Sequence, residues 1–231
     1  MKKTGNRGFT LIELMIALAL GGIVSAAVYT TYKSQLDSYV TQEAVAVMQQ
    51  NLRAAMFIIG HEVRNAGVNP TQGANTFPVA ASPGSFQFAA DLINNSTGAI
   101  GSDGLADDTI TYNLVGDVLC RNGVEVARNI DALSFVYFDG TINDGEDSDE
   151  DGIIDELGEG TISLVGDIRT IAAVQVTLVA RSDRADPKFL NNTVYTEPIT
   201  NNDLVTAPGD HFRRRMLSAV FKVRNYNLPG S

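Results

Sequence analysis

The chain has 231 residues and a formal net charge of −10 at neutral pH, enough for one domain plus a long helix and short for two full domains. That acidity argues against nucleic acid or anionic lipid as a partner for most of the chain. The single cysteine, Cys120, excludes an intramolecular disulfide and reads as a small buried apolar residue.

The N-terminus carries the strongest signal. Lys2, Lys3 and Arg7 precede residues 9–29, FTLIELMIALALGGIVSAAVY. That run is close to the ~20 residues that span a bilayer as a helix. The positive residues lie before it, which keeps the N-terminus cytoplasmic and places the rest outside. One charge interrupts the run, Glu13. A secretory signal peptide, with a cut near Ser25, Ala26 and Ala27, has no reason to carry a carboxylate in its apolar core. A plain anchor has the same difficulty, because an acid in a spanning helix is expensive and demands a cationic partner at similar depth.

Past the membrane segment, Val40, Ala44, Val47, Met48, Leu52, Ala55, Met56, Ile59 and Val63 recur at three- and four-residue steps. This is one face of an amphipathic helix. No proline occurs from Phe9 to Val68, Gly67 is placed as a C-cap, and Pro70 blocks continuation. The spacing predicts one helix from near Phe9 to near Ala66, roughly 85 Å long at its standard rise. Gly21 and Gly22 are its weak points.

After Pro70 the period changes. Residues 71–84 read as a loop. Strands are expected at 85–89, 109–115, 118–121, 124–127, 133–138, 170–180 and 216–223, with Asn122-Gly123 as a hairpin turn. Val174, Val176 and Leu178 share one face of the sixth of these, and Leu217, Ala219, Phe221 and Val223 face inward on the last. Residues 181–211 read as loop. The fold class is therefore α+β, a long N-terminal helix packed on an antiparallel β-sheet head over 68–231.

Between Asp139 and Glu159 the acids are dense. Residues 147–155 read D-x-D-x-D-G-x-x-D. Carboxylates of Asp147, Asp149 and Asp151, the Ile153 carbonyl and Asp155 or Glu156 can converge on a calcium ion, with Gly152 permitting the sharp turn. Asn143 and Asp144 would extend the set. An EF-hand would have Glu at position twelve, where this chain has Gly158. The competing reading is a solvated acidic loop. Calcium is the only cofactor expected.

Phosphate-binding loops, dinucleotide fingerprints, nucleophile elbows and His/Cys metal clusters are missing from the sequence. His61 and His211 are isolated, so no enzyme is expected. Asn94, Asn95 and Asn191 match the N-glycosylation acceptor pattern. The triplet Arg213, Arg214, Arg215 reads either as the solvated start of a strand or as an acidic-partner contact between subunits.

The segment Arg7-Gly8-Phe9-Thr10-Leu11-Ile12-Glu13-Leu14 resembles the class III prepilin signature of type IV pilins and type II secretion pseudopilins. The resemblance implies a leader over residues 1–8, cut between Gly8 and Phe9 by a membrane prepilin peptidase, and N-methylation of Phe9. It supplies the cation for Glu13: the Phe9 ammonium of a neighbouring subunit or of its own. It also implies a helix, 9–67, whose first part, 9–29, lies in the inner membrane and then in the filament core against other major and minor pilins. Thr30 stands where many major pilins have proline, so their kink is not expected. Gln49–Ala55, Glu62–Gly67 and Arg213–Asn225 are similar to W-type (PilW-like) minor pilins and to pseudopilin J of type II secretion. The implied role is a minor pilin in pilus assembly or priming at the filament tip. The alternatives are a minor pseudopilin and a calcium-dependent tip adhesin. The implied location is the inner membrane before assembly, and the pilus, cell surface or periplasm after it.

Overall fold

A computed structural model describes residues 9–67, 80–90, 109–139 and 171–224. The chain divides into two units, Met1–Ala44 and Val45–Ser231. One helix, α1, runs over Leu11–Arg64 and continues through Gly21 and Gly22. Its end is tightened by the Asn65 and Ala66 amides, which donate to Glu62 and Val63 three residues back. Gly67 then takes φ +74°, the left-handed conformation that glycine adopts without a Cβ penalty.

In the first unit no residue from Phe9 to Val40 is buried. In the second, Met48, Leu52, Ala55, Met56, Ile59 and Val63 form the buried stripe of α1. The stripe is narrower than the apolar spacing suggests, because Val40 and Val47 are 39 % and 49 % exposed.

Among the described residues, every strand pair in the head is antiparallel. Five strands, β1 (Ala80–Ser82), β2 (Ser85–Ala89), β3 (Thr109–Val115), β4 (Val118–Arg121) and β5 (Val124–Arg128), form one sheet in sequence order. Tight turns join β1 to β2, β3 to β4 and β4 to β5. Gly116, at φ +65°, opens the β3–β4 turn, and Asn122 and Gly123, at φ 49° and 77°, make the β4–β5 turn. Positive φ at both central residues is what the Asn-Gly hairpin requires. The Asn122 side chain adds a further tie by accepting from the Thr111 amide at 2.7 Å and donating to the Thr109 carbonyl at 2.9 Å.

The second sheet has the order β10 (Arg214–Lys222), β7 (Ile171–Arg181), β6 (Ile130–Asp139). A two-stranded ribbon, β8 (Tyr195–Thr196) and β9 (Asp203–Val205), interrupts the expected loop of 181–211. Ten successive residues of β7, Ile171–Ala180, are buried, not one alternating face. Val174, Val176, Leu178 and Ala180 join the core beneath α1. On the other face Gln175 donates to Glu197 at 3.0 Å, and β9 lies against β6. The segment between β7 and β10 therefore covers the far side of the sheet and hides the polarity period of β7.

Phe86, Phe88, Phe135 and Tyr137 stack where the two sheets meet, with ring centroids 5.1–6.4 Å apart. The Tyr137 hydroxyl closes that junction by donating to the Ser82 carbonyl at 2.8 Å. Cys120 is 7 % exposed and behaves as a small core residue.

Candidate assembly site

Helix α1 needs donors satisfied at its first turn, because its leading amides have no intrahelical acceptor. Thr10 sits at the N-cap and Glu13 three residues on. The Thr10 amide and hydroxyl donate to Glu13 Oε2 at 2.9 and 2.8 Å, and the Glu13 amide donates to Thr10 Oγ1 at 3.3 Å. This is a capping box, and its Thr-x-x-Glu pattern before an apolar run is legible in the sequence. Charge considerations alone demand a cation opposite Glu13. Within one subunit its carboxylate is instead held by the two donors of Thr10, both on the same oxygen.

Around this acid the surface is apolar. Phe9 is 88 % exposed, and Leu11, Ile12, Leu14, Met15 and Ile16 are exposed too. A window of the helix near the N-terminus has mean hydropathy 2.3 over 18 residues, long and apolar enough to cross a membrane. Gly8 lies outside the described residues. So do Asp147, Asp149, Asp151, Ile153 and Asp155, with Asn143, Asp144 and Glu156. Among the described residues, no group of three or more His, Cys, Asp or Glu could hold a metal ion.

In the head, several charged side chains pair with one another. Neither reading of the arginine triplet holds for Arg213 and Arg214. The Arg214 side chain is 4 % exposed and bridges Asp131 and Asp210. Arg213 binds Asp186 at 2.7 Å and lies 4.4 Å from the Phe189 ring centroid. Arg181 ties the same Asp131, at 2.9 Å, to Asp117 in the β3–β4 turn, at 2.7 Å. Hydrogen bonds from Arg214 hold the Asp210 carboxyl below its usual value, and Arg213 does the same for Asp186.

Glu62 near the end of α1 accepts two bonds from Arg121 Nε at 2.9 Å and one from the buried Tyr112 hydroxyl. Burial pushes the Tyr112 phenol far above its usual range, and Glu62 adds to the shift. Asn191 is no glycosylation acceptor in the folded head: it is 1 % exposed, and its amide donates to the Phe212 carbonyl at 3.0 Å. Nothing in the sequence pattern announces these pairs, because their partners lie up to 83 residues apart.

The profile of the prokaryotic N-terminal methylation motif matches residues 3–29, which include Gly8, Phe9, Thr10 and Glu13. This chain carries a type IV prepilin N-terminus. The motif and the apolar helix behind it fit a membrane-anchored prepilin. The chain is 37 % identical over 75 residues to the toxin coregulated pilin of Vibrio cholerae serotype O1, a stretch covering 32 % of each chain. It thus spans about a third of that relative's length. It is also similar to a type IV-like pilin from Thermus thermophilus, at 13 % identity over 77 % of this chain and 97 % of that one, with a TM-score of 0.43. At that TM-score the likeness decides nothing. The α+β class rests on α1 and the antiparallel sheets themselves.

Proposed function

We propose that this prepilin is a minor pilin, cut between Gly8 and Phe9, N-methylated on Phe9, and built through α1 into a type IV pilus at or near its tip. The observation that carries the reading is the methylation motif joined to a helix whose first twenty or so residues are apolar but for Glu13, and uncovered (a helix apolar all round needs burial in lipid or protein). In the membrane, lipid covers them; in a filament, the helices of neighbouring subunits do. The partners are other major and minor pilins, with the prepilin peptidase acting first.

The resemblance to W-type minor pilins favours a minor over a major role. Its residues have structural work in this chain: Leu52, Ala55, Val63 and Ala66 are core, and Gly67 closes α1. A type II secretion pseudopilus would use the same helix in the same way. The experiment is mass spectrometry of the mature N-terminal peptide, together with immunodetection of the chain in filaments sheared from cells. A peptide starting at N-methyl-Phe9, with the chain at low abundance in sheared pili, is the expected result. A mature start after Ala27 would sink the filament reading. A methylated chain missing from sheared pili but required for protein secretion would move it to the secretion machinery.

A further inference from the structure

Every sheet has edges, and an unpaired edge offers a row of amides and carbonyls to any extended chain. Most edges in this head are blunted. β1 has three residues. β5 carries exposed Glu125 and Arg128 and reaches β4 through a register shift between Leu119 and Cys120. β6 has register shifts near both ends, and its Phe135 amide donates to the Pro83 carbonyl of the β1–β2 turn.

β10 is neither short nor shifted in register, and its exposed charges stand only at its ends. Its nine residues pair with β7 in continuous register from Arg214↔Arg181 to Lys222↔Ala173. Among the described residues no second strand pairs with it. Six consecutive residues, Met216–Phe221, contain no charge and no proline. Met216 and Val220 are 38 % and 49 % exposed. Charges stand only at the ends, all of them positive: Arg215 on one side, Lys222 and Arg224 on the other, each exposed.

We propose that the free edge of β10 is a docking site for an extended strand of another protein, one whose uncharged residues are flanked by carboxylates. Backbone hydrogen bonds would hold the strand, and its terminal acids would meet Arg215 and Lys222. A second copy of the same edge does not fit. Antiparallel pairing of two β10 strands brings the Arg214–Arg215 end of each against the Lys222 end of the other, and like charges across strands repel. The site lies in the head and goes beyond the role proposed for α1.

The test uses the full chain in neutral detergent micelles and two blocked octapeptides of six alternating Val and Thr residues, one between two Glu and the other between two Lys. Hydrogen exchange and calorimetry are read together. In the free protein, the outward amides of β10 should exchange fast at every protein concentration. The Glu-flanked peptide should slow them and bind about tenfold more tightly than the Lys-flanked one. Arg215→Glu combined with Lys222→Glu, both at exposed positions, should reverse the preference. Binding of neither peptide, or a preference that survives the charge reversal, overturns the proposal. So do outward amides already protected in the free chain: at all dilutions they would mean that the edge is covered internally, and with loss of protection on dilution, that a second copy covers it.

Discussion

At Gly60, α1 packs directly against Phe221 of β10. A methyl at this position would overlap Cε1 and Cζ of Phe221 and stand 2.9 Å from its Cδ1. The ring has no easy retreat, because Phe221 is 6 % exposed and the Arg64 guanidinium lies 5.1 Å from its centroid. Two effects oppose each other in Gly60→Ala. Alanine gains about 1 kcal/mol of helix propensity. Overpacking a filled core costs about 1–3 kcal/mol, and driving a buried Phe ring toward water forfeits up to about 3 kcal/mol. The clash wins, and the net loss should be about 1–2 kcal/mol. For a unit of this size that lowers the melting temperature by about 3–6 °C.

The assay is a circular dichroism melt of the full chain in detergent, run as a double-mutant cycle. Phe221→Leu removes the two atoms that meet the new methyl first. In that background Gly60→Ala should become neutral or stabilising, a coupling of about 1 kcal/mol or more. If Gly60→Ala alone raises the melting temperature by its propensity gain, the close approach of α1 and β10 is wrong.

Three further outcomes follow from the head. Tyr112→Phe should cost about 1 kcal/mol in urea unfolding, the net worth of its bond to Glu62, and an unchanged midpoint would refute that bond. Asp210 and Asp186 have folded values below their ordinary 3.8, so they contribute stability above that value that is lost as pH falls through the lowered ones. The melting temperature should therefore drop below about pH 4. Asp210→Asn should lower it at neutral pH and make the acid drop shallower; a parallel curve would contradict the pairing. If Asp147, Asp149, Asp151 and Asp155 bind calcium as their spacing predicts, calcium but not magnesium should raise the melting temperature, and Asp149→Ala with Asp151→Ala should abolish the effect. Equal melts in millimolar calcium and in chelator would leave a solvated acidic loop.

The long helix and its cap at Gly67 are legible because each depends on residues a few positions apart. The same holds for the Asn122-Gly123 hairpin and the strands at 85–89, 109–115 and 118–121. Contacts from distant segments explain the misses. β1, β8 and β9 have three, two and three residues, too few to show a period. β7 reads as one-faced until the segment carrying Glu197 is laid over its other side. Arg213 and Arg214 read as a solvated strand start or as an intersubunit contact until Asp131, Asp186 and Asp210 of the same chain are brought to them. At the N-terminus the motif marks Glu13 but not its local partner. That partner is local too, since Thr10 and Glu13 are only three residues apart.

That capping box changes how Glu13 must be probed. Replacing it with Ala removes two things at once, the negative charge and the acceptor for the Thr10 amide and hydroxyl. Glu13→Gln separates them, because a glutamine oxygen can still accept both Thr10 bonds while carrying no charge. Both Thr10 bonds fall on Oε2, and no described residue donates to Oε1. On the proposed assembly, a Phe9 ammonium can therefore approach Oε1 without breaking the cap, and the two interactions add. Glu13→Gln should insert in the membrane at least as well as the parent, since a charge is removed from an apolar segment. It should nevertheless be lost from sheared filaments as completely as Glu13→Ala. Quantitative immunoblots of membrane and sheared fractions measure both. If Glu13→Gln enters filaments at the parent level while Glu13→Ala does not, the acid serves the helix cap and not an ammonium partner.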